Sequence, residues 1–208
     1  MSRYRATLEY FGKPFAGWQR QKNGFSVQQA LEEAIKKFCG QDVVTYVAGR
    51  TDAGVHALGQ VCHFEIEKKE TTKTIRNAIN FHLKPNPIIV LNVVEVDETF
   101  HARFSAKERH YQYKFINRAT PSALYSDLSW WVPQALDIDL MIEASKCLIG
   151  KHDFSTFRAA GCQAKTPVKT LNSITFWREG DEVIMETRAK SFLYHQVHNM
   201  AGTLKLVG

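Results

Sequence analysis

Val43-Val44-Thr45-Tyr46-Val47-Ala48-Gly49-Arg50-Thr51-Asp52-Ala53-Gly54-Val55-His56-Ala57-Leu58-Gly59-Gln60-Val61-Cys62-His63-Phe64-Glu65-Ile66 is the stretch from which the rest of the chain is read. Its two ends, Val43–Val47 and Val61–Ile66, are alternating apolar runs that read as strands. Its middle holds two glycines, an arginine and an aspartate with few bulky apolar residues, so it reads as a loop carried on a sheet. Loops on a rigid scaffold are a usual place for chemistry.

Working outward toward the N-terminus, Arg5 to Phe11 alternates and predicts a strand, broken by Gly12-Lys13-Pro14-Phe15-Ala16-Gly17. Trp18-Gln19-Arg20-Gln21-Lys22 mixes an aromatic with amides and cations. It fits either a loop anchored by Trp18 or a nucleic-acid contact. Ser26 to Phe38 has helical spacing, a capping box from Ser26 and Gln29, and Gly40 as its stop. On the other side of the loop, Thr71 or Thr72 caps a second helix with Ile75, Ala78, Ile79 and Leu83 inward, ended by Pro85 and Pro87. Ile88 to Val96 is a nearly continuous β-branched run, expected to be a strand buried on both faces. Helices alternating with hairpin-joined strands predict an α+β fold with a mainly antiparallel central sheet.

Farther on, Phe100-His101-Ala102-Arg103-Phe104-Ser105-Ala106 leads into a strand, Arg109 to Ile116, with Tyr111, Tyr113 and Phe115 on one face. Pro121 to Pro133 reads as a loop. The expected division is 1–118 and 119–208, two lobes around one sheet with a cleft between them. Asp137 caps a helix over Ile138 to Ile149, closed by Gly150. Thr170–Trp177 and Glu182–Lys190 form a hairpin across Gly180-Asp181, and Ser191 caps a last helix over Phe192 to Leu206.

The net charge of +6 and pI near 9.1 favour a polyanionic partner, with nucleic acid first. No apolar run approaches the roughly 20 residues of a membrane helix. Met1-Ser2-Arg3-Tyr4-Arg5 holds no apolar signal core, so a cytoplasmic protein is expected. Cys39, Cys62, Cys147 and Cys162 lack metal-ligand spacing and are expected to be reduced and mostly packed. Neither a Walker sequence nor Gly-x-Gly-x-x-Gly follows a strand, which leaves a nucleotide cofactor unsupported. Asp52 has no second acid at close spacing. Turn chemistry alone makes an aspartate between glycines a turn residue. Arg50 and His56 raise the other reading, because a carboxylate near a cation stays ionised and can serve as nucleophile or base.

Several stretches taken together resemble the tRNA pseudouridine synthase A family. They are Gly17-Trp18-Gln19-Arg20-Gln21, Gly49-Arg50-Thr51-Asp52-Ala53-Gly54-Val55-His56, Gln60-Val61 with His63-Phe64, Phe100 to Ala106, Arg109-His110-Tyr111-Gln112-Tyr113, Asp153 to Arg158, and Phe192-Leu193-Tyr194-His195. The resemblance covers the whole chain in order. It implies the α+β pseudouridine synthase fold, with the site in the cleft. It also implies isomerisation of uridine to pseudouridine at tRNA positions 38, 39 and 40, no cofactor, no metal, and a homodimer holding tRNA across both subunits. Asp52 matches the catalytic aspartate. Tyr111 matches the tyrosine that packs on the target base, and Arg50 the arginine that helps flip the uridine out of its stack. Arg103 is expected to meet phosphate, with Arg20, Lys22 and Arg158 as further RNA contacts.

Two departures accompany the match. Where the family has arginine in the last helix, paired with the catalytic aspartate, this chain has His198, which has no guanidinium fork. An unperturbed histidine, with a pKa of about 6.5, is mostly neutral at pH 7. Either the enzyme is impaired, or a protonated His198 stands in for the arginine at the substrate site. Family members also continue past Val207-Gly208, so a truncated second lobe and a less supported last helix and dimer are expected. The alternative function is a non-catalytic RNA-binding or tRNA-folding protein on the same scaffold, which would keep binding tRNA after Asp52→Ala.

Overall fold

The computed structural model describes all 208 residues. The chain divides into two units, Met1–Ala106 and Lys107–Gly208, each with its own sheet and its own buried core. The α+β architecture is as expected, with the strand pairings falling into two sheets, one in each unit.

In the first unit, β1 (Ser2–Tyr10) lies between β3 (Ala57–Ile66) and β4 (Ile88–Val96), and β2 (Tyr46–Val47) pairs outside β3. Every pairing is antiparallel. Alternation sends Tyr4, Ala6, Leu8 and Tyr10 of β1 into the core. They meet Leu31 and Ile35 of α1 (Val27–Cys39) and Ile75 and Ile79 of α2 (Thr72–Leu83) in one cluster. Ser26 Oγ accepts the Gln29 N–H at 3.1 Å, as a cap should. The reciprocal half of the box gives way to a bond from the Gln29 amide to Glu33 Oε1 at 2.9 Å. Gly40 ends α1 in the left-handed region, with φ 76°, and its N–H reaches Lys36 O. A short helix, α3 (Ala102–Ser105), closes the unit.

Two expectations change here. The first strand of the opening stretch shrinks to Tyr46–Val47, while the second starts four residues early, at Ala57. β4 is not buried on both faces. It is an edge strand with Ile88, Val90 and Val93 in the core and Ile89 and Leu91 47% and 42% exposed, because helices cover only one side of this sheet.

The second unit orders its strands β6 (Trp130–Val132), β5 (Arg109–Asn117), β9 (Glu182–Ala189), β8 (Val168–Glu179) and β7 (Gly150–Asp153). β5 runs antiparallel to β9 from Arg109↔Ala189 to Ile116↔Glu182. That pairing ties β5 to the C-terminal strands, so the division falls at Ala106/Lys107 and not after residue 118. The hairpin across Gly180-Asp181 forms as expected, with Gly180 at φ 59°. β6, parallel to β5, lies inside the expected loop, and the Asn117 side chain reinforces it by donating to Val132 O at 3.0 Å.

Helix α4 (Ile138–Ser145), capped by Asp137, stops earlier than its periodicity suggests. A 3₁₀ turn over Lys146–Leu148 comes next, and Gly150 opens β7 instead of closing the helix. The last helix, α5 (Gln196–Val207), begins five residues after Ser191. His195 sits in the left-handed region at φ 60°, which no α-helix can incorporate, so Ser191 is not the cap. Val197, Met200, Ala201 and Leu204 of α5 are buried with Phe115, Leu171 and Met185. Gly208 O accepts the Asp137 N–H at 3.2 Å, tying the end of α5 to the start of α4. The last helix is therefore packed against the core of the second unit. All four cysteines are free; Cys62 is buried, Cys39 and Cys162 are partly buried, and Cys147 is exposed, in keeping with mostly packed thiols. No helix is long and apolar enough to cross a membrane.

Candidate active site

Residues 48–56 leave β2 and return into β3 at Ala57, and the backbone is held at almost every step. Ala48 N–H reaches Val61 O at 2.8 Å. The Gln60 side chain donates to Gly49 O at 2.8 Å. Thr51 is gripped twice: its carbonyl accepts the Trp18 N–H at 2.9 Å, and its hydroxyl meets the Tyr10 hydroxyl at 2.7 Å. Val55 N–H returns to Asp52 O at 3.2 Å, and Gly12 N–H donates to His56 Nδ1 at 3.0 Å. That last bond uses the Nδ1 lone pair, so His56 acts as a brace.

Two glycines let the first loop of the chain press against this one. A Cβ on Gly12 would sit 2.0 Å from Val55 O, and one on Gly17, at φ 102°, would sit 2.7 Å from Thr51 O. Asp52 therefore projects from a backbone whose preceding residue has its carbonyl and hydroxyl both fixed. Its side chain is half-buried, while the Arg50 side chain is exposed. Burial pushes the Tyr10 hydroxyl above its ordinary pKa, against hydrogen bonds from Thr51 and Gln60, which keeps it protonated.

Arg103 belongs to α3, whose position depends on a cluster of rings. His63 is 3% exposed and its Nδ1 accepts the Ala102 N–H at 3.2 Å. Tyr46 stacks on it at 5.0 Å and His101 packs edge-on at 4.7 Å. Burial, then the charges of His101 and Arg3, lower the His63 pKa to about 4. His63 is thus a neutral acceptor holding the start of α3, and Arg103 stands exposed beyond it.

In the second unit, Tyr111 is the third residue of β5, half-buried, with Phe192 edge-on at 5.2 Å. Tyr113, two residues on along the same face, meets His198 of α5 edge-on at 5.8 Å. His198 is exposed and lies 5.4 Å from the ring of His195. The segments Asp153–Arg158 and Phe192–His195 are bound to each other. Ala159 N–H reaches Tyr194 O at 3.1 Å, and Asn199 Nδ2 reaches Phe157 O at 3.0 Å. Arg158 is exposed and donates to Cys162 O at 2.9 Å.

Within the first unit the structure brings Arg50 and Asp52 together on one braced loop. In the second it brings Tyr111 and His198 to one face of the sheet through Tyr113 and Phe192. Arg20 stands apart, pairing with Glu32 of α1 at 3.4 Å, and Lys22 is exposed in the bridged turn Gln21–Gly24. Tyr10 and Gly12 are supporting residues that sequence reasoning gave no site role, and Gln60 and His63 entered only as parts of matching stretches. Alternation placed Tyr10 only on one face of a strand, and nothing local shows that its hydroxyl ends against Thr51. No group of three or more His, Cys, Asp or Glu side chains is gathered to hold a metal ion.

A family model described as tRNA pseudouridine synthase matches residues 6–105 and 144–208. The tRNA pseudouridine synthase A of Paramagnetospirillum magneticum is 53% identical over 208 residues, all of this chain and 81% of the relative. The proteins of the same name from Rhodospirillum centenum and Parvibaculum lavamentivorans are 54% and 51% identical, again over all of this chain and 85% of each relative. With a family match across both units and half of all residues shared with whole-length relatives, the chain belongs to the tRNA pseudouridine synthase family.

Proposed function

We propose that this protein isomerises uridine to pseudouridine in tRNA, at positions 38, 39 and 40 of the anticodon arm, with Asp52 as the catalytic carboxylate. The observation that carries this reading is the double hold on Thr51 by Trp18 and Tyr10, which fixes the backbone from which Asp52 projects. A carboxylate that must meet one reacting atom gains from such fixing, because misplacement by about 1 Å can cost 100-fold in rate.

In the reaction the C1′–N1 bond breaks and a C1′–C5 bond forms. The C5 proton leaves and a proton is placed on N1. Attack by Asp52 on the sugar, its attack on the base, and its removal of the ribose 2′ proton all use the same ionised carboxylate. Tyr111 supplies a ring face for the target base. Arg50 assists the turn of the uridine out of its stack, and Arg103 meets a phosphate. Arg20, Lys22 and Arg158 add peripheral cationic contacts. The resemblance further supports a homodimer, consistent with apolar Ile89 and Leu91 exposed on an edge strand. It also supports action in the cytoplasm, where tRNA is found.

His198 takes the place of the family arginine in the last helix. If a cation is needed at that position, His198→Arg raises turnover at pH 8, and no gain in that variant removes the role. The central experiment measures pseudouridine in a transcribed tRNA. Asp52→Ala abolishes product while retaining tRNA binding. A parent protein that binds tRNA and makes none, even at saturation, would replace the reading with a non-catalytic one.

A further inference from the structure

At one end of the second sheet, β8 begins, β9 ends, β7 pairs alongside and the chain enters β5. There a cavity of about 480 Å³ is lined by Lys107, Lys151, Lys169, Lys190, Thr170 and Ser191. Lys151 and Thr170 are cross-strand partners in β7 and β8. Lys190 and Ser191 come directly after the last residue of β9, and the Arg109 guanidinium holds the Lys190 carbonyl. Val168 is the one apolar lining residue, and no carboxylate is among them. The neighbouring carboxylate is that of Glu108. Its two oxygens are taken by Asn172, itself in the lining, at 2.5 Å and by His110 at 2.6 Å.

Four lysines around one concavity repel each other; the Lys169 ammonium donates to Thr166 O at 3.2 Å, and none of the four meets a carboxylate among the lining residues. Their arrangement makes sense with an anion between them. The cavity is large enough for more than a single phosphate group. Position selects the anion. Tyr111 is the third residue of β5, and its partner Thr187 lies three residues before Lys190, so the cavity sits at the same end of the sheet as Tyr111. Lys151 and Thr170 are on the opposite face, because Leu171 beside Thr170 is buried with Ala189 on the face that Tyr111 shares.

Resting on the tRNA reading above, we infer that this four-lysine cavity is a docking site for backbone phosphodiesters of tRNA outside the reacting nucleotide. It holds the RNA while Tyr111 meets the base. Phosphate contacts of this kind position a nucleic acid without reading its sequence.

The test measures tRNA binding by anisotropy across a salt series, beside steady-state kinetics, for the full chain carrying Lys151→Gln with Lys169→Gln. The expected result is a Kd and KM for tRNA raised about ten-fold and a log Kd–log salt slope reduced by about one to two. A fold-change in kcat smaller than that in KM completes it. Lys151→Arg with Lys169→Arg restores the slope, since arginine keeps the charge. A control pair, Lys73→Gln with Lys84→Gln in the first unit, removes the same net charge from exposed positions around α2. If both pairs weaken binding equally, or the cavity pair leaves Kd and slope at the parent value, the cavity is no docking site. Binding is read without turnover. A parent that binds tRNA but forms no pseudouridine overturns the Asp52 reading and leaves the cavity to be judged on the salt slope alone.

Discussion

Asp52 in the first unit and Tyr111 in the second are held by different means. Asp52 projects from an irregular loop held at several main-chain points: Trp18 N–H on Thr51 O, Gln60 on Gly49 O, and the close passage of Gly12 and Gly17. Tyr111 sits on a regular strand, where the ladder from Arg109↔Ala189 to Ile116↔Glu182 fixes the backbone and Phe192 meets only the ring. A carboxylate that must reach one atom needs its main chain placed to a fraction of an ångström. A ring that stacks on a base tolerates sliding, and a strand is enough to present it. Backbone substitutions should therefore damage the first region, and side-chain truncations the second.

The largest effect breaks the loop's backbone packing. Gly12→Ala places a Cβ 2.0 Å from the Val55 carbonyl oxygen, and neither partner is a flexible side-chain end. A loss of about 4 kcal/mol or more in urea unfolding is expected, with pseudouridine formation gone. Gly59→Ala, whose added Cβ meets nothing within 4 Å, should stay within about 0.5 kcal/mol of the parent. Equal stability of the two variants would show that the loops are not packed through their main chains.

Acid separates the two units next. His63 is buried and neutral, with a folded pKa of about 4 against an unfolded value of 6.5. Protonation occupies the Nδ1 lone pair that holds Ala102. Because the folded pKa is the lower one, the unfolded chain takes up the proton first. The His63 contribution is complete above pH 6.5 and declines as pH falls toward 4, by about 3 kcal/mol in all. No histidine in the second unit is buried. Hydrogen-exchange protection in β1 and β3 should therefore fall between pH 6.5 and 4.5 while that in β5 and β9 holds. Parallel losses would show that His63 does not set the acid response.

Substrate binding is the third comparison. On the role proposed for Tyr111, replacing it by Ala removes a base-stacking ring worth about 2 kcal/mol, so KM for tRNA should rise roughly thirty-fold. Tyr111→Phe keeps the ring and should remain within a few-fold. A large defect in Tyr111→Phe would move the role from the ring to the hydroxyl.

These contrasts mirror the parts of the chain that were legible in its sequence. The alternation of β1, the cap and stop of α1, the tyrosine face of β5 and the β8–β9 hairpin all show in spacing, because period and punctuation are local properties. The buried face of α5 shows for the same reason. Its start does not, because a single left-handed residue, His195, decides it, and no periodicity records a dihedral angle. β4 misled because its β-branched run satisfies strand geometry whether or not a layer covers its second face, and coverage is set by distant helices. At the candidate site, Asp52, Arg50 and Tyr111 came from motif resemblance. The groups that fix the loop did not, because Tyr10 and Gly12 lie 42 and 40 positions before Asp52 and reach the loop, at Thr51 and at Val55 and His56, only once β1 pairs with β3. The four-lysine cavity escaped for a similar reason: its lysines come from three strand ends and a connection, and the charge total alone pointed to a polyanion.

The smallest effect tests the comparison most finely, because it removes one oxygen atom from each unit. Tyr10 is buried, and its hydroxyl lies 2.7 Å from Thr51 Oγ1. Tyr10→Phe leaves the Thr51 hydroxyl without that partner and should cost about 1 kcal/mol of stability. Its effect on turnover should exceed its effect on KM, since the loop it loosens carries the carboxylate while the base-stacking strand is untouched. Tyr113 is the matched control. Its contacts with Phe115, Trp130 and His198 are ring contacts, and phenylalanine keeps all three. Tyr113→Phe should therefore leave stability within about 0.5 kcal/mol and kcat within two-fold. If Tyr10→Phe lowered KM and kcat together, or if Tyr113→Phe proved the more damaging, loop fixing by the Tyr10 hydroxyl would not be what positions Asp52.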